Sequence, residues 1–371
     1  MEIEIDKQME NPLVQSYLDN DIDKFRQLIK EGMNVNCLYN NRFSLIELII
    51  RNQNKVNDLK FFNTLIENKV KIDPVNGGPN LLFTTLLYKQ KDYFKELIDS
   101  GFDVNSYQTQ KSSTHYLDPI IFRAMTYGYY YTDLLMKKHI DVNVYRNDNE
   151  TVLNALIKAS RDDYTIKQSL DIFQRCIDYG ADVNDRGFLG MQPIHSIVCY
   201  KLNHFFDILL NDNIKVELNS RDREGDTALI YSVKYNNFEA CELLIKKGAN
   251  LNIFNKNNES VFLLSAAYHN TKIFDFLLSN NAAKITIDSN NCNILHSIID
   301  YEWNQNDRMI EFYVKIVKKH PELLLKKNND GKTPLDLLDK YKNCEDDKKF
   351  YYKITEMIRN IKTIDDNGIS L

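Results

Sequence analysis

Apolar residues recur along this chain in pairs of short helical stretches, each pair split by a polar turn. The segment Asp226 to Asn252, DTALIYSVKYNNFEACELLIKKGANLN, shows the unit in full. It has a Thr-x-Leu opening, a short helix, a polar turn, a second helix with a Leu-Leu pair, and a Gly-Ala-x-Leu-Asn exit. The exit returns as GMNVN ending at Asn36, GFDVN at Asn105, HIDVN at Asn143, GADVN at Asn184 and GANLN at Asn252. Weaker copies end at Asp73 and Asn219, so neighbouring exits lie 32 to 41 residues apart. Openings recur in step: TVLN at Thr151, QPIH at Gln192, NILH at Asn293 and KTPLD at Lys332. Two registers in agreement over most of the chain define an array of about ten units.

Each part of the unit has a physical reason. A Thr or Ser at the opening accepts from an otherwise orphaned helix N–H, and a following proline suits the first helical turn. Gly32, Gly101, Gly180 and Gly248 follow the second helix, where a left-handed cap is easiest for glycine. Lys69 and His139 replace that glycine, which predicts strained or differently built turns there. The stretches 106–116, 161–168 and 301–309 lengthen connections and fall on the rim. The C-terminal run KKFYYKITEMIRNIK puts Phe350, Ile354, Met357, Ile358 and Ile361 at helical spacing, as a capping helix requires.

The unit resembles the ankyrin repeat, whose period is about 33 residues. The resemblance covers nearly the whole chain and implies an all-α ankyrin-repeat solenoid with β-hairpin-like loops. The expected organisation is a flexible 1–10, one domain over 11–363, and a frayed 364–371. Its units run over about 11–36, 40–73, 77–105, 117–143, 148–184, 190–219, 224–252, 257–287, 291–325 and 330–361. Members of this family are mostly non-enzymatic binding modules, with the first helix of each repeat lining a concave groove. A protein partner on that face is the implied function, with no cofactor, no metal and a monomeric state. The Asn- and Lys-rich repeats look similar to those of large DNA viruses, intracellular bacteria and some protists. That likeness implies a host-directed or inhibitory factor, or alternatively an adaptor recruiting a target to ubiquitin-ligase machinery through its C-terminus.

Composition narrows the classes. Of 371 residues 43% are apolar, and 47 basic side chains against 52 acidic give a net charge of −5. That balance disfavours sequence-independent binding to nucleic acid. The longest apolar run, Leu45 to Ile50, already contains Glu47, so no membrane span is expected. The acidic N-terminus is no secretory signal, which points to the cytoplasm or a host cytosol. The six cysteines are scattered without a C-x-x-C pair, unlike a zinc or disulfide framework.

Alignment of the repeats places Tyr88, Tyr127, Tyr200, Tyr235, Tyr268, Tyr301 and Tyr341 in one column, broken by Asn52 and Ala159. The column sits at the end of the first helix. It serves either a partner, because tyrosine offers rigid area with a polar tip, or the stacking of repeats. Further partner-contact candidates are Arg123, Lys158, Tyr231, Lys234, Arg221, Arg223, Tyr145 and Arg146. Tyr129, Tyr130 and Tyr131 open a second helix, with one or two expected in the core. Hydrolase, nucleotide-binding and metalloprotease motifs are absent from the sequence. His195 and His296 occupy the opening's fourth position, where the family uses the imidazole to bond loop backbone. Cys199 lies four residues from His195, but no third orienting group is visible. Asn36, Asn105, Asn143 and Asn252, each with a Leu eight residues earlier, resemble ankyrin asparagines that become hydroxylated.

Overall fold

A computed structural model describes residues 11–39, 43–52, 58–70, 81–105, 119–146, 148–161, 165–280, 286–300, 307–339, 342, 351–352 and 354–356. The chain divides into two compact units, Met1–Phe188 and Leu189–Leu371.

In the first unit the helices come in pairs: α1 (Pro12–Leu18) with α2 (Ile22–Lys30), α3 (Leu45–Arg51) with α4 (Asp58–Glu67), and α5 (Leu81–Leu87) with α6 (Lys91–Asp99). α7 (Ile120–Tyr127) pairs with α8 (Tyr129–Met136), and α9 (Val152–Ala159) with α10 (Ile166–Asp178). First helices stack in the order α3, α5, α7, α9, and second helices in the order α2, α4, α6, α8, α10. Between the layers Phe25 and Tyr17 meet the Phe61 ring edge-on, at 4.9 and 5.3 Å, and all three are fully buried. Phe94 meets Tyr131 at 5.0 Å in the same way. Burial of such side chains, worth roughly 1.5–3 kcal/mol each, binds one repeat to the next.

The second unit repeats the plan. It holds α11 (Pro193–Tyr200) and α12 (Phe206–Leu209), α13 (Ala228–Lys234) and α14 (Phe238–Lys246), and α15 (Val261–Ala267) and α16 (Thr271–Ser279). α17 (Ile294–Asp300), α18 (Asp307–Lys319) and α19 (Pro334–Leu338) follow. First helices stack α11, α13, α15, α17, α19. Ile354 is fully buried near the C-terminal end, while the rest of the expected apolar stripe of the capping helix lies outside the described residues.

The opening works as its chemistry requires. Ser44, Thr151, Thr227, Ser260 and Thr333 each accept from the backbone N–H three residues on. Hairpin fingers precede them, with antiparallel pairing of Leu38 to Ser44, Tyr145 to Thr151, Phe254 to Ser260 and Ile287 to Asn293. Gly32, Gly101, Gly180 and Gly248 all have φ between 86° and 93°. Lys69 and His139 adopt the left-handed conformation too, at 57° and 53°. The Lys69 turn is therefore built like the glycine turns: Lys69 N–H bonds Ile66 and Val70 N–H bonds Leu65, as Gly32 bonds Ile29 and Met33 bonds Leu28. Strain is present there, but the architecture is unchanged.

Two of the expected turn extensions are also partly something else. Ile166–Gln168 and 307–309 are helical, so α10 and α18 reach 13 residues each, against 9 for α14 and α16. Thr165 and Gln168 form a reciprocal capping box that starts α10 early. Residues 106–116 lie outside the described residues.

Candidate functional site

Within each unit, exit asparagines tie neighbouring repeats together. Asn105 Oδ1 accepts from Asp141 N–H at 2.7 Å, and Asn219 Oδ1 from Asn250 N–H at 2.8 Å. Asn143 accepts from Asp182 N–H at 3.1 Å and donates to Gly180 O at 2.9 Å, while Asn252 accepts from Ile287 N–H at 3.1 Å. Asn105, Asn143 and Asn252 thus have their amides engaged. Asn36 is half-buried, its N–H bonded to Asn34.

The histidines are backbone clamps. His195 Nδ1 accepts from Gln192 N–H and Nε2 bonds Ser220 O, both at 3.1 Å. His296 repeats this with Asn293 at 3.1 Å and Lys332 at 3.0 Å. With both ring nitrogens committed, His195 is not a base for Cys199. The Cys199 thiol is instead a neighbour of Tyr235, whose hydroxyl that contact and burial push up to about 12. Among the described residues no group of three His, Cys, Asp or Glu could hold a metal ion.

The finger turns carry a further column that the sequence reading overlooked. Five residues before the cap, Asp222, Asn255, Asp288 and Asn328 each accept from two backbone N–H groups of their own finger. The signal was an Asp or Asn followed three residues later by Gly or Asn, at the repeat period.

On this frame the described tyrosines of the column end the first helix or directly follow it, just before a residue of positive φ: Lys89, Gly128, Lys201, Asn236 and His269. In the second unit Tyr235 and Tyr268, one repeat apart, are 42% and 51% exposed. Tyr200 is half-buried. In the first unit Tyr88 and Tyr127 are half-buried, and Tyr88 Oη accepts from Arg51 at 3.1 Å. Tyr301 and Tyr341 lie outside the described residues.

The other candidates divide by environment. Tyr231 is buried, stacked on Tyr235 at 5.7 Å, and donates to Asp222 at 2.8 Å, burial and that carboxylate raising its pKa. Lys234 bonds the buried Asp226; burial works to lower its pKa, but the carboxylate outweighs it and the net shift is upward. Arg123, Arg221 and Arg223 are exposed. Arg221 donates to Phe254 O at 2.5 Å, and Arg223 N–H bonds Leu189 O at 2.9 Å. Tyr145 donates to Asp185 at 2.6 Å. Of the Tyr129–Tyr131 cluster, only Tyr131 is fully in the core. The segment on which an adaptor role would depend lies mostly outside the described residues.

Stacked helix pairs with hairpin fingers define a helical-repeat protein. Residues 156–255 match the family model described as ankyrin repeats, three copies. The chain is 38% identical over 63 residues to an ankyrin repeat protein of Rickettsia bellii, a match covering 17% of this chain and 38% of that one. It is 22% identical over 237 residues to an ankyrin repeat protein of Acanthamoeba polyphaga mimivirus, covering 62% of this chain and 28% of that one. It is also 29% identical over 112 residues to human neurogenic locus notch homolog protein 2, covering 30% of this chain and 4% of that one. The matched region thus spans well under half of each of these relatives. Residues 156–255 carry ankyrin repeats and the described helices form an all-α repeat fold; ankyrin repeats generally serve protein–protein interaction and are typically non-catalytic. No helix among the described residues is long and apolar enough to cross a membrane.

Proposed function

We propose that the chain is a stoichiometric, non-catalytic binder of a partner protein, held on the face formed by the first helices and their fingers. Exposure of Tyr235 and Tyr268 at one position of adjacent repeats carries this reading. Aromatic rings in such repeating exposure supply large contact area at low entropic cost, and tyrosine is enriched among binding hot spots. Arg221 and Arg223 on the finger before α13 add charge beside these rings. The organisms of the relatives, Rickettsia bellii and a mimivirus, favour a partner from a host cell.

The test compares wild type with Y235A/Y268A. Circular dichroism first establishes that the variant is folded, which exposed positions allow. A partner captured by wild type and then titrated should bind the variant at least about tenfold more weakly. Equal affinity would sink the reading and return these rings to a role in stacking.

A further inference from the structure

The tyrosine column breaks at Ala159, and the break leaves a cavity. A hollow of about 220 Å3 opens between α7 and α9, floored by Phe122, Met125, Ala155 and Ala159 and walled by Arg146 and Glu150. Lys158 stands at its rim, 61% exposed by side chain.

Comparison of two repeats in one register explains the space. Thr151 and Thr227 are both caps, so Ala155 and Ala159 occupy the positions of Tyr231 and Tyr235. In the second repeat those two positions hold a pair of stacked rings, 17° from parallel. In the first they hold two methyl groups. A third departure coincides: Arg146 stands where Asp222 stands, at the finger position elsewhere held by Asn255, Asp288 and Asn328. Its guanidinium lies 5.0 Å over the Phe122 ring and donates to Glu150 Oε2 at 2.9 Å. Glu150 Oε1 is 3.9 Å from Lys158 Nζ, beyond hydrogen-bond reach.

We infer that this hollow is a socket for one aromatic side chain, of tyrosyl type, donated by the bound polypeptide. The inference rests on the proposed partner-binding role of the first-helix face. Size is sufficient, since an apolar cavity of roughly 150 Å3 already takes benzene. The floor is apolar, and Arg146 offers a cation above the ring plane. Glu150 Oε1 can accept from a phenolic hydroxyl, a task that in the filled repeat falls to Asp222, at the finger position that Arg146 holds here. Rings of this type already pack at the equivalent positions of the filled repeat.

The probe is p-cresol, the tyrosine side-chain analogue, titrated into the full chain and followed by NMR. A dissociation constant on the order of 1 mM is expected for so small a ligand. The double variant A155Y/A159Y fills the socket from within, using the residues that Tyr231 and Tyr235 already occupy in another repeat. It should stay folded and lose p-cresol binding, and A159F alone should do the same if the double variant fails to fold. No saturation by about 10 mM, or equal binding by a folded, filled variant, overturns the socket. Saturation by propionate in place of p-cresol overturns it as well, in favour of an acidic side chain. The partner arm is separate: p-cresol should compete with the captured partner in wild type. If p-cresol binds but does not compete, the partner assignment of the socket fails while the face itself, tested by Y235A/Y268A, stands. If Y235A/Y268A retains full affinity, the face reading fails independently.

Discussion

His195→Ala removes a ring that holds two backbone groups at once. The imidazole is fully buried; it accepts from Gln192 N–H and bonds Ser220 O across 25 residues of sequence. Gln192 and Ser220 are themselves buried, so water does not readily replace either bond. A buried backbone group left unsatisfied costs about 1–3 kcal/mol, which gives about 2–6 kcal/mol for the two. The Tyr231 ring, 5.6 Å from the imidazole and edge-on to it, loses a packing partner in addition. Against a typical stability of about 5–15 kcal/mol, the loss is large. Urea unfolding followed by far-UV circular dichroism should show a lower midpoint, with the transition of the second unit most affected. A loss below about 0.5 kcal/mol would refute the clamp, because even one unsatisfied group exceeds it. The same variant also probes Cys199. If the imidazole serves only the backbone, thiol alkylation should keep its pH profile in H195A; a shifted profile would reveal a thiol–imidazole pair.

Other expectations follow from single contacts. Lys69 is exposed and left-handed at φ 57°, so Lys69→Gly should raise stability by about 0.5–1 kcal/mol, read as a higher urea midpoint; a fall would contradict the strain argument. Asn143→Ala deletes two inter-repeat bonds at an exposed site and should cost about 1–2 kcal/mol, whereas an unchanged midpoint would make these bonds mere surface decoration. Burial works to raise the Asp133 pKa, but Lys137 at 2.8 Å and Arg175 at 2.9 Å outweigh it and hold the carboxyl below its ordinary 3.8. A depressed carboxylate stabilises above the unfolded value and loses that effect as pH falls through the folded one. Asp133→Asn should therefore cost about 1 kcal/mol at pH 7, with the gap to wild type closing below pH 3.8; a gap independent of pH would exclude the ion pairs as its cause.

What could be read from the chain was whatever one residue does at a fixed position of the repeat. Thr227 caps its helix, Gly248 turns left-handed, and His195 clamps backbone, because each task is set by local geometry that recurs with the period. Lys69 shows how that logic resolves: the missing glycine predicts a strained or differently built turn, and the turn keeps the glycine pattern with a lysine in the left-handed region. Tyr231 and Tyr235 show why exposure was harder to foresee. They lie one helical turn apart, on α13 and at its C-cap, and one is buried and the other open. Asp222 on the preceding finger makes the difference, by taking the Tyr231 hydroxyl and drawing the ring inward. Three residues from two elements make the cavity at Ala155, and none is unusual alone. Arg146 reads as a surface charge, and Ala155 and Ala159 read as helix formers. Only the coincidence of all three against one register empties the space that other repeats fill. A site defined by subtraction from a repeat is visible once the packing partner of each missing side chain is known, and that partner, Phe122, comes from the repeat before.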